Sequence, residues 1–211
     1  MCFESFIKKG QINLEIAIDY TESNGLPKDK DSLHYIDGEN DYEKAIKSCV
    51  DILAYYDSDQ LFPVYGFGGI PEGKKEVSHC FNINLNDNDP NVKGVDNIIA
   101  FYKESLKKVK LLGPTLFSPV ISKVINKINE DLKNKPEENN YYILMILTDG
   151  IISDMDDTID KIVEGSKLPL SIVIVGIGNA DFSNMEELDG DEIPLINSNG
   201  EKKRYSIICP I

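Results

Sequence analysis

Two acidic positions stand out by residue type and spacing. The run Asp19-Tyr20-Thr21-Glu22-Ser23 closes one short apolar segment, and Thr148-Asp149-Gly150 closes another. Alternate side chains of an extended segment point the same way, so Asp19, Thr21 and Ser23 present three oxygens to one side. If the two segments are neighbouring strands about 5 Å apart, their carboxylates repel by about 3 kcal/mol at an effective dielectric near 20. A cation, a shared proton or a set of backbone donors can relieve that repulsion. A divalent ion held by Asp, Thr and Ser oxygens, with waters completing its shell, is the solution that hard ligands favour. Either Asp alone reads more simply as a turn residue. Together with Thr21, Ser23 and Thr115 they favour a metal, although Thr115 alone reads equally well as the cap of the helix that follows it.

The elements that must position these residues follow from periodicity. Residues 12–18, 60–67, 141–148 and 169–177 are short apolar runs closed by Asp, Gly or Asn, the pattern of strands buried on both faces of a parallel sheet. Glu15 and Pro63 interrupt it and are tolerable near strand ends or edges. Between the runs, residues 42–56, 95–109, 117–132 and a stripe from Met155 to Val163 carry apolar positions at helical spacing, so each predicts an amphipathic helix. In 117–132 the stripe runs from Phe117 through Val124 and Ile128 to Leu132.

Strands alternating with helices predict right-handed crossovers and an α/β fold, a doubly wound, mostly parallel sheet flanked by helices. Residues 76–82 alternate like one antiparallel edge strand, and 204–209 read as a final strand. Residues 86–91 form a polar loop. Residues 24–40 form a long one, able to cover a site beside it. No internal repeat or linker breaks the chain, so residues 1–211 read as a single domain. Ligands of such sheets collect outside the carboxyl ends of the strands, where strand order reverses. Asp19 and Asp149 face each other there if their strands are central neighbours.

The pattern Asp19-x-Thr21-x-Ser23, Thr115 after Gly113-Pro114, and Thr148-Asp149-Gly150 resembles the metal-ion-dependent adhesion site of von Willebrand A-type domains. That site usually has Ser where Thr21 stands, and the hydroxyl keeps the ligand chemistry. The resemblance implies that Asp19, Thr21, Ser23, Thr115 and Asp149 surround the ion, with one position left for a partner's carboxylate. Within that group the chain is most similar to the copine family. The likeness is carried by A-I-D-Y-T-E-S-N-G at 17–25, S-L-H-Y at 32–35 and Y-D-S-D-Q-L-F-P-V-Y-G-F-G at 56–68. It continues in G-P-T-L-F-S-P-V at 113–120, T-D-G-I-I-S-D-M at 148–155, L-P-L-S-I-V-I-V-G-I-G-N-A-D-F at 168–182 and E-L-D-G-D at 187–191. Copines also carry two amino-terminal calcium-dependent lipid-binding domains, to which nothing in these segments corresponds.

Composition narrows the function further. A chain of 211 residues is long enough to bury roughly 70% of its unfolded surface. The formal charge is -14, with Arg204 the only arginine; a field of that sign opposes nucleic acid and anionic lipid. Membrane contact is then expected only indirectly, through lipid-binding domains outside this chain. No apolar run reaches bilayer-spanning length, and the first residues have neither the basic leader nor the apolar core of a signal peptide. Cys2, Cys49, Cys80 and Cys209 include no closely spaced pair, which matches no zinc or redox signature. A cytoplasmic setting is expected, with peripheral membrane association in a longer protein.

Other motifs fail on their own terms. Asp87-x-Asp89-x-Asn91 starts like a calcium loop, but Val92 replaces the required Gly and Ile98 the terminal Glu. Gly176-x-Gly178 follows a strand, yet Asp181 stands where a dinucleotide fingerprint needs Gly. Asp154, Asp156 and Asp157 read as the solvated start of a helix, and the acidic run 186–192 as surface. With two histidines, His34 in a loop and His79 in the edge strand, and no hydrolase or nucleotide motif, catalysis is disfavoured.

The expected function is a non-enzymatic, metal-dependent protein-binding module in calcium-linked membrane traffic or signalling. Magnesium is favoured over manganese or calcium, and a partner's acidic side chain completes the site. Two alternatives are the substrate-recruiting part of a ubiquitin ligase and a metal-dependent phosphoester hydrolase. The first follows from copine relatives that join this domain to a RING finger, which the scattered cysteines place outside this chain.

Overall fold

The computed structural model describes residues 11–210 apart from 55, 56, 58, 151, 190–193 and 204–207. The apolar runs form β1 (Gln11–Asp19), β2 (Leu61–Phe67), β7 (Asn140–Thr148) and β8 (Leu170–Gly176). Between and after them lie α1 (Asp41–Ala54), α2 (Val95–Ser105), α3 (Ser118–Asn134), α4 (Met155–Gly165) and the short α5 (Ser183–Asp189). Short strands β3 (Gly69–Pro71), β4 (Phe81–Asn82), β5 (Asn91–Lys93), β6 (Val109–Leu111) and β9 (Ile208–Pro210) fill in the rest. The main sheet runs β4-β2-β1-β7-β8-β9, with β5 also on β2. β2, β1, β7, β8 and β9 pair in parallel, while β4 and β5 lie antiparallel along the edge of β2.

Each face of the sheet buries one apolar cluster, because residues two apart on a strand share a side. Leu14, Ile16 and Ile18 pack with Tyr42, Ile46 and Val50 of α1 and with Ile98 and Tyr102 of α2. Leu144 and Ile146 pack on the opposite face with Val120, Val124 and Ile128 of α3 and with Ile162 of α4. Glu15, the polar interruption of β1, has no exposed surface. Its carboxylate is paired with Lys127 of α3 at 2.9 Å and accepts from the Tyr65 hydroxyl at 3.2 Å, which compensates its burial.

Several expectations need correction. The predicted edge strand 76–82 is a strand only at Phe81–Asn82. Ser78 instead bridges Gly69, the chain bends after it, and pairing resumes where Gly66 leaves room for the Phe81 ring. The helix expected over 95–109 ends at Ser105, and Val109 enters β6, paired with Pro71. A β-branched residue buried against a neighbouring strand is better placed there than in a last helical turn. Leu132, at the end of the α3 stripe, is 42% exposed; its turn passes the sheet's end, where Asp131 accepts from the Tyr142 hydroxyl. Of the final strand, 204–207 lie outside the described residues, as do 55 and 56 of the first helix and 190–192 of the acidic run.

Candidate metal centre

β1 lies between β2 and β7, and the register aligns Asp19 with Phe67 and Ile18 with Leu147. Asp19 thus ends one central strand beside Thr148, and Asp149 follows at the tip of its neighbour. The two carboxylates share one crevice at the carboxyl end of the sheet, where strand order reverses. Past Asp19 the chain stays extended through Thr21 and enters a 3₁₀ turn, Glu22–Asn24. That path keeps Thr21 and Ser23 on the side of Asp19.

The oxygens form a continuous line. Asp149 Oδ1 lies 3.0 Å from Ser23 Oγ, Ser23 Oγ 2.9 Å from Thr21 Oγ1, and Thr21 Oγ1 2.7 Å from Asp19 Oδ1. Both hydroxyl protons are directed at the carboxylates, one from Ser23 to Asp149 and one from Thr21 to Asp19. The contact between Thr21 and Ser23 is left without a proton of its own. Three short oxygen–oxygen contacts with two protons are the signature of a place short of positive charge. A cation supplies it directly, and in the metal-free protein a protonated Asp19 carboxyl supplies it below about pH 6.

Electrostatics agree. Burial, with a smaller contribution from the charge of Asp149, raises the Asp19 carboxyl to about 6, against the hydrogen bonds from Thr148 and Thr21 that lower it. Thr148 Oγ1 donates to Asp19 Oδ2 at 2.6 Å and the Thr21 amide to Oδ1 at 2.8 Å. Asp149 is also raised by burial. Exposure rises from Asp19, with none, through Thr21 and Asp149 to Ser23, which is exposed. The line opens to solvent at Ser23, and its two carboxylate ends are buried.

Thr115 reaches the same end of the sheet through the backbone. Leu112 bridges Thr21, and the Thr115 carbonyl accepts from the Ser153 amide at 2.9 Å. It does not cap α3. That task falls to Asp154, whose carboxylate accepts from the Phe117 and Ser118 amides at 3.0 and 2.9 Å. Asp154 therefore caps a neighbouring helix rather than only opening its own, and it ties the 115–118 segment to the Asp149 loop. The four residues of the oxygen line are brought together; Thr115 is brought alongside, buried.

Close packing around Thr21 depends on one glycine. Gly68 has φ +79°, and a Cβ there would stand 2.4 Å from Thr21 Cγ2. The tail of β2 can pass behind the site only without a side chain.

The loop 24–40 packs against the backbone of the site. Asn24, Ser32 and His34 of this loop are buried. His34 Nε2 lies 2.8 Å from the Asp19 carbonyl and Nδ1 2.7 Å from the Tyr102 hydroxyl. Burial drives its pKa down to about 3, so the ring is neutral. Adjacency to the site was readable from the sequence; burial and full engagement of both nitrogens were not. Among the described residues, no cluster of three or more His, Cys, Asp and Glu side chains is arranged to hold a metal, so any ion at this crevice depends on the hydroxyls.

A family model described as Copine matches residues 32–208. "Copine-A" of Dictyostelium discoideum is 44% identical over 209 residues, 98% of this chain and 34% of that protein. "Protein BONZAI 2" of Arabidopsis thaliana is 44% identical over 194 residues, 90% of this chain and 33% of that protein. The chain spans about a third of the length of these curated relatives. The solved structure of manganese-loaded Plasmodium vivax TRAP protein matches 95% of this chain and 68% of its own, with TM-score 0.53 and 10% identity. At that identity the likeness is one of fold, the von Willebrand A-type sheet.

Proposed function

The chain belongs to the copine family, and from that membership we propose that it is a non-enzymatic, metal-dependent protein-binding module. The observation that carries the reading is the line of oxygens from Asp149 to Asp19 with one proton too few. Asp19, Thr21, Ser23, Thr115 and Asp149 would hold a divalent cation. Two carboxylates and three hydroxyls make a small set of hard ligands, which favours magnesium over calcium, with manganese suited to the same oxygens. The ion supplies an electrophile, and a partner's acidic side chain is its natural last ligand, arriving from the open side at Ser23. The manganese in the TRAP structure supports a divalent cation in this fold.

Binding is favoured over phosphoester hydrolysis because His34, the histidine against the Asp19 backbone, is buried with both nitrogens occupied. A role in calcium-linked membrane traffic or signalling belongs to the longer copine architecture, with this domain choosing the protein partner. Among the described residues no helix is long and apolar enough to cross a membrane. The site is expected to work in the cytoplasm, reaching membranes through parts of the protein outside this chain.

The test is affinity capture by the wild-type domain in magnesium, by the same domain in chelator, and by Asp19→Ala. Proteins held only by the wild type with metal are expected, while circular dichroism shows the variant folded. Identical capture in all three would contradict the reading.

A further inference from the structure

Beneath the oxygen line lies a second layer of polar contacts that reaches the backbone of the site and none of its side-chain oxygens except Thr21 Oγ1. The ladder between β1 and β7 ends at Ile18, so the next carbonyl, that of Asp19, needs another donor. His34 Nε2 provides it at 2.8 Å. A carbonyl can only accept, so Nε2 bears the proton, and Nδ1 of the neutral ring accepts from the Tyr102 hydroxyl at 2.7 Å. Two residues on, Asn24 Nδ2 donates to the Thr21 carbonyl at 3.2 Å, with a longer contact of 3.4 Å to Thr21 Oγ1. Asn24 Oδ1 accepts from the Tyr42 hydroxyl at 2.7 Å. Tyr42 in turn stacks on His34, ring centroids 4.4 Å apart and planes 28° from parallel.

The two units repeat one design. A carbonyl of the site loop is held by a side-chain N–H, and that side chain is aimed by a buried tyrosine hydroxyl from a helix, Tyr102 of α2 or Tyr42 of α1. The residue between, Tyr20, is held by the sheet, its amide donating to the Phe67 carbonyl at 2.7 Å. Asp19, Thr21 and Ser23 share a side only while the backbone keeps this path, extended through Thr21 and then turning at Glu22–Asn24.

We propose that His34 and Asn24 are positioning residues for the metal centre, fixing the main chain of Asp19 and Thr21 so that their oxygens meet an ion without rearrangement. This rests on the metal-binding reading above. Groups that orient ligands from behind typically change metal affinity by roughly 10- to 100-fold when removed.

Two substitutions separate positioning from packing. His34→Gln places an N–H donor where Nε2 stands but loses the acceptor for Tyr102. His34→Asn keeps an acceptor where Nδ1 stands and cannot reach the Asp19 carbonyl. Magnesium affinity is measured by calorimetry for the wild type, Asp19→Ala and both variants, with the melting temperature of each in chelator. Both variants should lose melting temperature. His34→Asn should bind magnesium roughly 10- to 100-fold more weakly, and His34→Gln should recover most of that loss.

Equal affinities in the two variants would overturn the proposal, since only general packing would then be at stake. If His34→Asn does not fold, Tyr102→Phe removes one hydroxyl without removing volume. It should weaken magnesium several-fold, and an unchanged affinity would overturn the proposal as well. A wild type that binds no magnesium would defeat the metal-binding reading itself, an outcome distinct from a wild type that binds while the variants match it.

Discussion

Asp19 has no exposed surface, and its carboxyl titrates at about 6 where an unburied one titrates at 3.8. A group whose folded value is raised contributes stability that is complete below the unfolded value and lost as the pH climbs through the folded one. In the metal-free protein that loss falls between about pH 4 and pH 6 and amounts to about 3 kcal/mol. Comparison with Asp19→Asn isolates it from the other carboxylates. In chelator, the variant's stability relative to wild type should rise by about 2–3 kcal/mol between pH 4 and pH 7. Denaturant titrations at the two pH values check this, and a gap that does not change with pH would contradict it. Saturating magnesium should erase the variant's advantage. At this scale the carboxylates and hydroxyls were legible because Asp and Thr at the ends of apolar runs are conspicuous. The roles of Asp154 and His34 were not, because each serves a residue at least 15 positions away, and local pattern carries no sign of that.

Among the elements, the tail of β2 is the one most tightly coupled to the site. Gly68→Ala would add a Cβ 2.4 Å from Thr21 Cγ2 at a backbone angle that favours glycine. It should destabilise the domain by about 1–3 kcal/mol and weaken magnesium binding. Thr21→Ser deletes the methyl in the way and keeps the ligand oxygen. The double variant should therefore recover stability beyond the sum of the two single changes, leaving the backbone strain of about 1 kcal/mol. Strict additivity in a double-mutant cycle would contradict the contact. The long parallel strands were legible from their mostly apolar runs, since burial on both faces admits a polar residue only with a partner, as Glu15 has in Lys127. The short edge pieces were not. β3, β4, β5 and β6 span two or three residues each, too few for any period, and Gly66 and Gly69 admit neighbours from β4 and β6.

At the scale of the molecule, 36 acidic residues against 22 basic ones surround the site proposed to hold a cation. That field favours the ion's approach and opposes anionic surfaces, and both effects weaken with salt. The isolated domain should not co-sediment with phosphatidylserine vesicles in chelator at low ionic strength; sedimentation there would show a lipid site that the charge does not predict. The overall architecture was readable because helices and strands alternate along the chain, and the crevice was readable because such sheets place their ligands at strand tips. The most direct test of the account is a calorimetric titration of the chelator-treated domain with magnesium, then manganese and calcium, with Asp19→Ala alongside. Saturable one-to-one binding by the wild type, tighter for magnesium than for calcium and lost in the variant, is predicted. Absence of binding by the wild type, or binding that survives in Asp19→Ala, would contradict it.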